Sequence, residues 1–332
     1  MYKTNIFLEH LIEKVKPQKD LLTCLKEEIE SEKEAKKEQL RHVLRLDELF
    51  QLFSESLVYS EEKREKKNIY QQIKYSVNAI RYLPFPVYVL KPNKSNGKTV
   101  VYLHGHDDMG IIGALIEHHD KERFHHMLPI RLAELGYTVV APECMGFGEG
   151  YYQYSKEKPS EKSGCFMNEG ILSMCGFNII GVRTMQVMKT IDFIFEEQLP
   201  DDISIFGVSG GALTGTMVSV LDNRVARIAL AAYSNSYKGS ILKKDHCIEN
   251  YIPGIFQMGD SYQILSLAVP KPLLVVNGKY DRGFTIEGSI EAIAYLEKVY
   301  ERMNRKDHFK AILFEGKHEI SVSDVVEWLH KF

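Results

Sequence analysis

Residues 202–217, the most informative segment of the chain, read Asp-Ile-Ser-Ile-Phe-Gly-Val-Ser-Gly-Gly-Ala-Leu-Thr-Gly-Thr-Met. The mainly apolar run 203–206 predicts a buried strand, and a helical pattern begins directly after Ser209. A strand that passes straight into a helix must turn sharply, and Gly207 and Gly211 let the two backbones approach closely. The stretch therefore predicts a strand–turn–helix unit that presents Ser209 at the carboxyl end of a sheet.

The pattern Gly-x-Ser-x-Gly around Ser209 is typical of a nucleophilic serine. A serine hydroxyl is a weak nucleophile at neutral pH, so it needs a base to accept its proton and an acid to orient that base. The structural alternative is a Gly-rich turn with an idle serine, because the bare pattern also arises by chance. The assignment therefore depends on the partners found elsewhere in the chain.

Asp281 and His318 are the candidate partners. The apolar run 273–276 predicts a buried parallel strand, and Asp281 follows it in a Gly-containing turn. His318 follows the next predicted strand. Because open α/β sheets place their sites at the carboxyl ends of strands, we expect both side chains to meet Ser209 there. Glu315 is the competing acid, since it lies close to His318 in the chain and can form a local salt bridge with it.

Acyl transfer also needs hydrogen-bond donors for the oxyanion. The run 99–103 predicts a strand that leads into His104-Gly105-His106. We expect the backbone N–H groups of His106 and Gly210 to be these donors. The side chain of His104 is expected to pack and to hydrogen-bond its own loop.

With these segments in place, the chain resembles the α/β-hydrolase superfamily, and more closely the bacterial dienelactone-hydrolase-like and acetyl-xylan-esterase-like hydrolases. The resemblance covers about residues 80–332. The segments that carry it are His104-Gly105-His106, 135–142 with Gly146 and Gly148, 207–211, 246–253, Asp281 and His318. It implies an α/β-hydrolase fold with a doubly wound, mostly parallel sheet. It also implies a serine hydrolase that cleaves carboxylic esters through a Ser209–His318–Asp281 triad and an acyl-enzyme, without a cofactor. We expect a small-molecule ester with a short acyl group as the substrate.

Two other functions stay open at this point. A small-peptide or amide hydrolase of the same fold uses the same catalytic set. Prolyl-oligopeptidase-type enzymes normally add a large propeller domain, which the roughly 70 N-terminal residues here cannot build. A non-catalytic binding protein on a hydrolase scaffold is the other alternative, because fold alone does not imply function.

Composition sets further bounds. The 332 residues are 44% hydrophobic and 26% charged, which is ordinary for a globular protein. A net charge of −3 speaks against a general nucleic-acid binder, and no run approaches the roughly 18 apolar residues of a membrane span. Charges near the N-terminus, where a secretory apolar region would lie, predict a cytoplasmic protein. The five cysteines are sparse and lack a Cys-x-x-Cys pair, which predicts neither a disulfide framework nor a metal site of zinc type.

The chain divides into an N-terminal helical extension, predicted over 1–68, and a catalytic domain over 69–332. Apolar residues at helical spacing predict two or three amphipathic helices in the extension. Its charge-dense run, 27–38, predicts a solvated helix face, with a coiled-coil or partner helix as the alternative. We expect the extension to pack on the hydrolase domain and to border the site or a dimer interface, which leaves a homo-oligomer open.

Three further segments bear on the site. Residues 147–178 and 237–262 are expected to act as cap or pocket segments, because long insertions beside a sheet's top edge often cover the site. Four histidines crowd residues 117–126, where a solvated loop is predicted and a metal site is the alternative. These histidines are His118, His119, His125 and His126.

Overall fold

The computed structural model describes residues 4–17, 19–107, 109–116, 124–151 and 164–332. Within these residues, nine strands form a single sheet. In chain order the strands are β1 Ser54–Lys66, β2 Tyr70–Ile80, β3 Phe85–Pro92, β4 Lys98–Leu103, β5 Thr138–Pro142, β6 Asp202–Val208, β7 Val225–Ala231, β8 Leu273–Gly278 and β9 Phe309–Phe314.

The helices of the described residues cover both faces of this sheet. They are α1 Thr4–Val15, α2 Ile29–Val43, α3 Leu46–Phe53, α4 Ile112–Leu115, α5 Leu128–Glu134, α6 Gly164–Met174, α7 Ile179–Glu196, α8 Gly210–Leu221, α9 Ser261–Ser266, α10 Ile286–Arg302 and α11 Val322–Lys331. None of them is by itself long and apolar enough to cross a membrane; α6 and α7 meet that test only as a pair, across a bend of 103°.

The strand order is β1-β2-β3-β5-β4-β6-β7-β8-β9. Strands β1, β2, β3 and β5 pair antiparallel, whereas every pair from β5 to β9 is parallel. Parallel neighbours cannot be joined by hairpins, so helices cross over between them and cover the sheet. This arrangement confirms the doubly wound, mostly parallel sheet that the sequence predicts.

Side chains of alternate residues on the central strands enter two separate hydrophobic cores. On β6, Ile203 and Ile205 face the core that contains α7 and α8, while Phe206 and Val208 face the core that contains α5 and α11. Successive side chains of a strand point to opposite faces, so a strand with helices on both sides must be apolar at nearly every position. This is why the central strands were recognisable as unbroken apolar runs.

The prediction that residues 1–68 are helical is wrong for residues 54–66, which form β1. This strand lies at the edge of the sheet and pairs antiparallel with β2. None of its side chains is fully buried, and half-buried Tyr59 packs edge-on against Phe193 of α7, with the ring centroids 5.0 Å apart. The following charged residues stay in solvent, as edge strands require if they are not to pair with other chains. In the sequence, a run so rich in charged residues looks the same as an exposed helix, which explains the wrong prediction.

Helices α2 and α3 pack on the sheet through α7. Leu40 and Leu44 are fully buried, and a Cβ on Gly181 of α7 would lie 2.2 Å from the carbonyl oxygen of Leu44. The absence of a side chain at Gly181 therefore allows the two backbones to touch. Lys33 Nζ also donates to the carbonyl oxygen of Val269, 3.2 Å away. These contacts join the N-terminal helices to the core of the rest of the chain.

Candidate active site

Ser209 occupies the sharp turn between β6 and α8. Its backbone has φ 55° and ψ −122°, a conformation that residues with a side chain rarely adopt. A Cβ on Gly207 would lie 2.6 Å from the carbonyl oxygen of Gly211, and one on Gly211 would lie 2.1 Å from that of Leu103. The two glycines therefore permit a turn that raises the Ser209 side chain above the sheet edge.

The structure brings Ser209, His318 and Asp281 into one hydrogen-bonded chain. Oγ of Ser209 lies 2.9 Å from Nε2 of His318, and Nδ1 of the same ring lies 2.6 Å from Oδ2 of Asp281. A carboxylate can only accept, so Nδ1 of His318 donates and Nε2 is left to accept the serine proton. The arrangement therefore sets the tautomer that a general base needs.

Asp281 is held on its other oxygen by the backbone. Its Oδ1 accepts from the N–H groups of Gly283 and Phe284, at 2.7 Å and 3.1 Å. The Phe284 ring stacks on the His318 imidazole, with centroids 5.7 Å apart and planes at 14°. Asp281 is buried, whereas the side chain of His318 is 36% exposed. The His318 ring is thus fixed on one side and accessible from the other.

The competing acid, Glu315, has different partners. Its carboxylate pairs with Lys279 and accepts from the hydroxyl of Tyr280 at the protein surface. Asp281, rather than Glu315, is therefore the carboxylate beside the His318 ring.

The loop after β4 lies against the serine turn. A Cβ on Gly105 would lie 2.9 Å from Cβ of Ser209, and one on Gly210 would lie 3.2 Å from Nδ1 of His106. Among the hydrogen bonds of the described residues, neither the His106 N–H nor the Gly210 N–H donates to another protein group. Their role as oxyanion donors stays a prediction, which this placement allows.

His104 is buried behind this loop, as the sequence led us to expect. Its Nδ1 is 2.8 Å from the carbonyl oxygen of Gly105, and its Nε2 is 3.0 Å from Oε1 of Glu143. Both oxygens of Glu143 also accept from the N–H of Ile111. His104 and Glu143 therefore hold the loop in place from its buried side and do not point toward Ser209.

A partly buried polar cluster on the other side of Gly210 was not foreseen from the sequence. Nε2 of His106 lies 3.0 Å from Oε2 of Glu249 and 3.6 Å from Sγ of Cys165. Cys247 donates to the same Glu249 oxygen at 3.1 Å, and the Arg183 guanidinium lies 3.4 Å from it. Apart from the neighbouring pair Cys247 and Glu249, these residues lie far apart in the chain, and no local spacing links their segments.

Burial and the neighbouring groups act in opposite directions on the pKa values of this cluster. Burial lowers the pKa of His106, but the Glu249 carboxylate and the Cys165 side chain together outweigh burial and raise that pKa to about 9. Burial raises the pKa of Glu249, whereas Arg183 and His106 together bring it well below its usual range. Without another ligand, the cluster therefore holds an imidazolium, a guanidinium and a carboxylate beside the serine turn.

The described parts of both expected cap segments reach the site. Cys165, at the start of α6, contacts His106. Glu249 also contacts His106, and its Oε1 would lie 2.7 Å from a Cβ on Gly210. His246 packs edge-on against the Phe284 ring, 5.0 Å between centroids. Residues 152–163 lie outside the described residues, so the wider covering role stays a prediction.

The histidine-rich segment is described only in part, because His118 and His119 lie outside the described residues. His125 is buried, with Nδ1 2.7 Å from the hydroxyl of Tyr102, so the expectation of a solvated loop is wrong at this position. Nε2 of His126 lies 3.0 Å from Oε2 of Glu319. The two described rings thus have different partners, and a shared metal site in this segment stays an untested alternative.

Ser209, Asp281 and His318 each follow the carboxyl end of a parallel strand, namely β6, β8 and β9. This placement, together with the strand order and the sharp turn at Ser209, is that of the α/β-hydrolase fold.

The comparisons with known proteins agree with this class. No protein-family model matches the chain. It is 24% identical over 267 residues to the “Putative hydrolase YtaP” of Bacillus subtilis (strain 168), covering 77% of this chain and 84% of that protein. It superposes with a TM-score of 0.79 on a “putative acetyl xylan esterase” from Bacteroides fragilis NCTC 9343, at 13% identity and covering 100% of this chain and 95% of the other.

A glucuronoyl esterase from Solibacter usitatus superposes with a TM-score of 0.57 at 12% identity, covering 88% of this chain and 90% of the other. These similarities confirm the α/β-hydrolase fold predicted from the sequence.

Proposed function

We propose that this protein is a serine hydrolase that cleaves carboxylic esters with short acyl groups. The observation that carries the proposal is the His318 ring, which lies 2.9 Å from Oγ of Ser209 on one side and 2.6 Å from Asp281 on the other. Solved structures of the same fold that bear esterase names add support. We also propose that it acts in the cytoplasm, on a small molecule.

The proposed reaction has two steps. Ser209 attacks the ester carbonyl while Nε2 of His318 accepts the hydroxyl proton, and Asp281 stabilises the imidazolium that forms. The N–H groups of His106 and Gly210 bind the oxyanion. His318 then gives the proton to the departing alcohol, which leaves an acyl-enzyme. Water attacks this intermediate by the same route and releases the acid.

Aromatic rings near the reacting groups favour a small acyl group. The Phe147 ring lies 5.0 Å from the His106 ring, and the Phe124 ring lies 6.1 Å from the His318 ring, as centroid distances. Because two structures of this fold are named as an acetyl xylan esterase and a glucuronoyl esterase, acetylated sugars belong in the substrate panel with simple acetate, butyrate and longer esters.

The decisive experiment labels the protein with a fluorophosphonate probe and locates the adduct by mass spectrometry. We expect the adduct on Ser209 in the wild type and none in Ser209→Ala. Ester turnover by Ser209→Ala should fall by about 10⁴ to 10⁶. Ser31→Ala, the same chemical change on α2 and away from the site, is the matched control and should keep full labelling and turnover.

Retention by Ser209→Ala of more than about a tenth of wild-type turnover would show that another group is the nucleophile. Folded wild-type protein that neither labels nor cleaves any ester would point instead to a binding role for the scaffold. Faster cleavage of aminoacyl amides than of matched esters would make the protein an amidase that uses the same three residues.

A further inference from the structure

Four side chains of metal-binding type meet beside the oxyanion loop. They are His106, Cys165, Cys247 and Glu249, and one ligand atom from each lies within 4.8 Å of all the others. We propose that this cluster, hereafter the HCCE cluster, binds one structural Zn²⁺ ion. The proposal goes beyond the hydrolase reaction and differs from the expectation that the cysteine spacing gave. It does not depend on the identity of the substrate.

The distances fit a tetrahedral site. Nε2 of His106 lies 3.6 Å from Sγ of Cys165, and Oε2 of Glu249 lies 3.0 Å from that nitrogen and 3.1 Å from Sγ of Cys247. Zinc bonds of ordinary length place neighbouring ligand atoms about 3.3 to 3.8 Å apart. Side-chain shifts of about 1 Å or less would therefore bring all four atoms around a single ion.

The ligand types select the metal. Two thiolates and an imidazole are the donors that zinc prefers, whereas calcium and magnesium require sites made almost entirely of oxygen. Four protein ligands complete a tetrahedron and leave no position for a reacting water, which is the pattern of structural rather than catalytic zinc sites. Binding would release the two thiol protons and the Nε2 proton of the His106 imidazolium to solvent, so the site carries two thiolates, a neutral imidazole and one carboxylate.

Arg183 supplies the remaining charge. Zn²⁺ with two thiolates and a carboxylate has a net charge of −1, and an unpaired buried charge is costly. The buried Arg183 guanidinium donates to Sγ of Cys165 at 2.9 Å and lies 3.4 Å from Oε2 of Glu249. The guanidinium brings the group to neutrality and orients two of the ligands, as the outer partners of metal sites usually do.

The ion would join three parts of the chain at the site. His106 belongs to the loop after β4, Cys165 begins α6, and the other two ligands lie in the segment before α9. These contacts connect residues 59 and 143 positions apart. Because the backbone N–H of His106 is a proposed oxyanion donor, the ion would fix that donor relative to Ser209.

The test is the metal content of untagged protein, purified without chelators and measured by mass spectrometry of the elements. We expect about one zinc per chain in the wild type, and less than about a tenth in Cys165→Ser and Cys247→Ser. Cys175→Ser is the matched control, because Cys175 is an exposed cysteine that follows α6, and it should keep its zinc. Metal-free wild-type protein titrated with Co²⁺ gives a second readout that needs no variant.

Cobalt in the proposed site should show thiolate-to-metal charge-transfer absorption and the strong visible bands of tetrahedral coordination, both abolished by added Zn²⁺. Zinc-free wild type with a weak octahedral cobalt spectrum would overturn the proposal. Full zinc in both ligand variants, or a Cys165–Cys247 disulfide in freshly purified protein, would do the same. None of these outcomes depends on ester turnover. A negative result for the metal site would therefore leave the proposed function standing, and a negative result for esterase activity would leave the metal site standing.

Discussion

The two glycines that flank Ser209 show how single residues determine the candidate site. In this turn, backbone carbonyl groups occupy the space that a side chain at Gly207 or Gly211 would need. The position of the Ser209 hydroxyl therefore depends on the absence of a side chain at these two residues. Ser209 itself carries the strained backbone, at φ 55°. Strain of this kind persists only where the surrounding packing enforces it, and it commonly marks functional sites.

Gly211→Ala is therefore expected to destabilise the protein. The new Cβ would lie 2.1 Å from the carbonyl oxygen of Leu103, and backbone cannot yield as a flexible side chain can. We expect a loss of about 3 kcal/mol in the free energy of unfolding, measured by urea denaturation.

Gly170→Ala is the control for this substitution. Gly170 is exposed within α6 and has no atom within 4 Å of the position of a new Cβ. Replacing a helical glycine by alanine there should stabilise the chain by about 0.5 to 1 kcal/mol. Equal stabilities of the two variants would contradict the packing of this turn.

At the scale of elements, the segment before α9 is fixed by one buried carboxylate. Asp260 precedes α9, and its Oδ1 accepts from the N–H groups of Tyr237 and Ser261, at 2.8 Å and 2.7 Å. Burial raises the pKa of Asp260 from 3.8 to about 6, against these two hydrogen bonds, which lower it. The folded chain therefore binds this proton more tightly than the unfolded chain does.

The sign of the pH dependence follows from this shift. The contribution of Asp260 to stability is complete below about pH 4 and is lost as the pH rises through about 6. Asp260→Asn keeps the accepting oxygen and does not titrate. The free energy of unfolding of the variant minus that of the wild type should therefore increase by about 2 kcal/mol between about pH 4.5 and about pH 7.

The control is Asp201→Asn, the same change at an exposed position, for which this difference should stay flat. A difference for Asp260→Asn that decreases with pH would contradict the tighter binding of this proton by the folded chain.

The elements also show which parts of the structure could be read from the sequence. Strands β6 and β8 are buried on both faces, so their apolar runs were diagnostic, and the loops after them carried Ser209 and Asp281. Strand β1 was missed because an edge strand keeps most of its side chains in water and leaves a weak alternating signal. The HCCE cluster was missed because its members meet only through tertiary folding, from segments without any shared spacing.

For the molecule as a whole, the N-terminal helices and the sheet share one hydrophobic core. Leu40 and Leu44 belong to the same continuous cluster as residues of β4, β6 and α10. The chain has a single tryptophan, Trp328, which is buried in the core on the opposite face of the sheet. No boundary within the described residues separates the extension from the sheet, so we expect the two to unfold together.

Urea unfolding followed by Trp328 fluorescence should accordingly have the same midpoint as the exposure of the buried Cys24 thiol. The thiol is read by pulsed alkylation and peptide mapping, and the exposed Cys175 is the internal control that reacts at all urea concentrations. Alkylation of Cys24 at clearly lower urea than the fluorescence change would mean that the extension is a separate unit.

The long-range contacts of the extension also have a consequence for synthesis on the ribosome. Asp20 and Lys33 bond to residues 243 and 236 positions further along the chain. At about 5 to 20 residues per second, these partners emerge roughly 10 to 50 s later. During that interval the hydrophobic core that buries Leu40 and Leu44 is incomplete. The nascent chain therefore carries a helix with an uncovered apolar face during much of its translation, which is the situation that chaperones at the exit tunnel relieve.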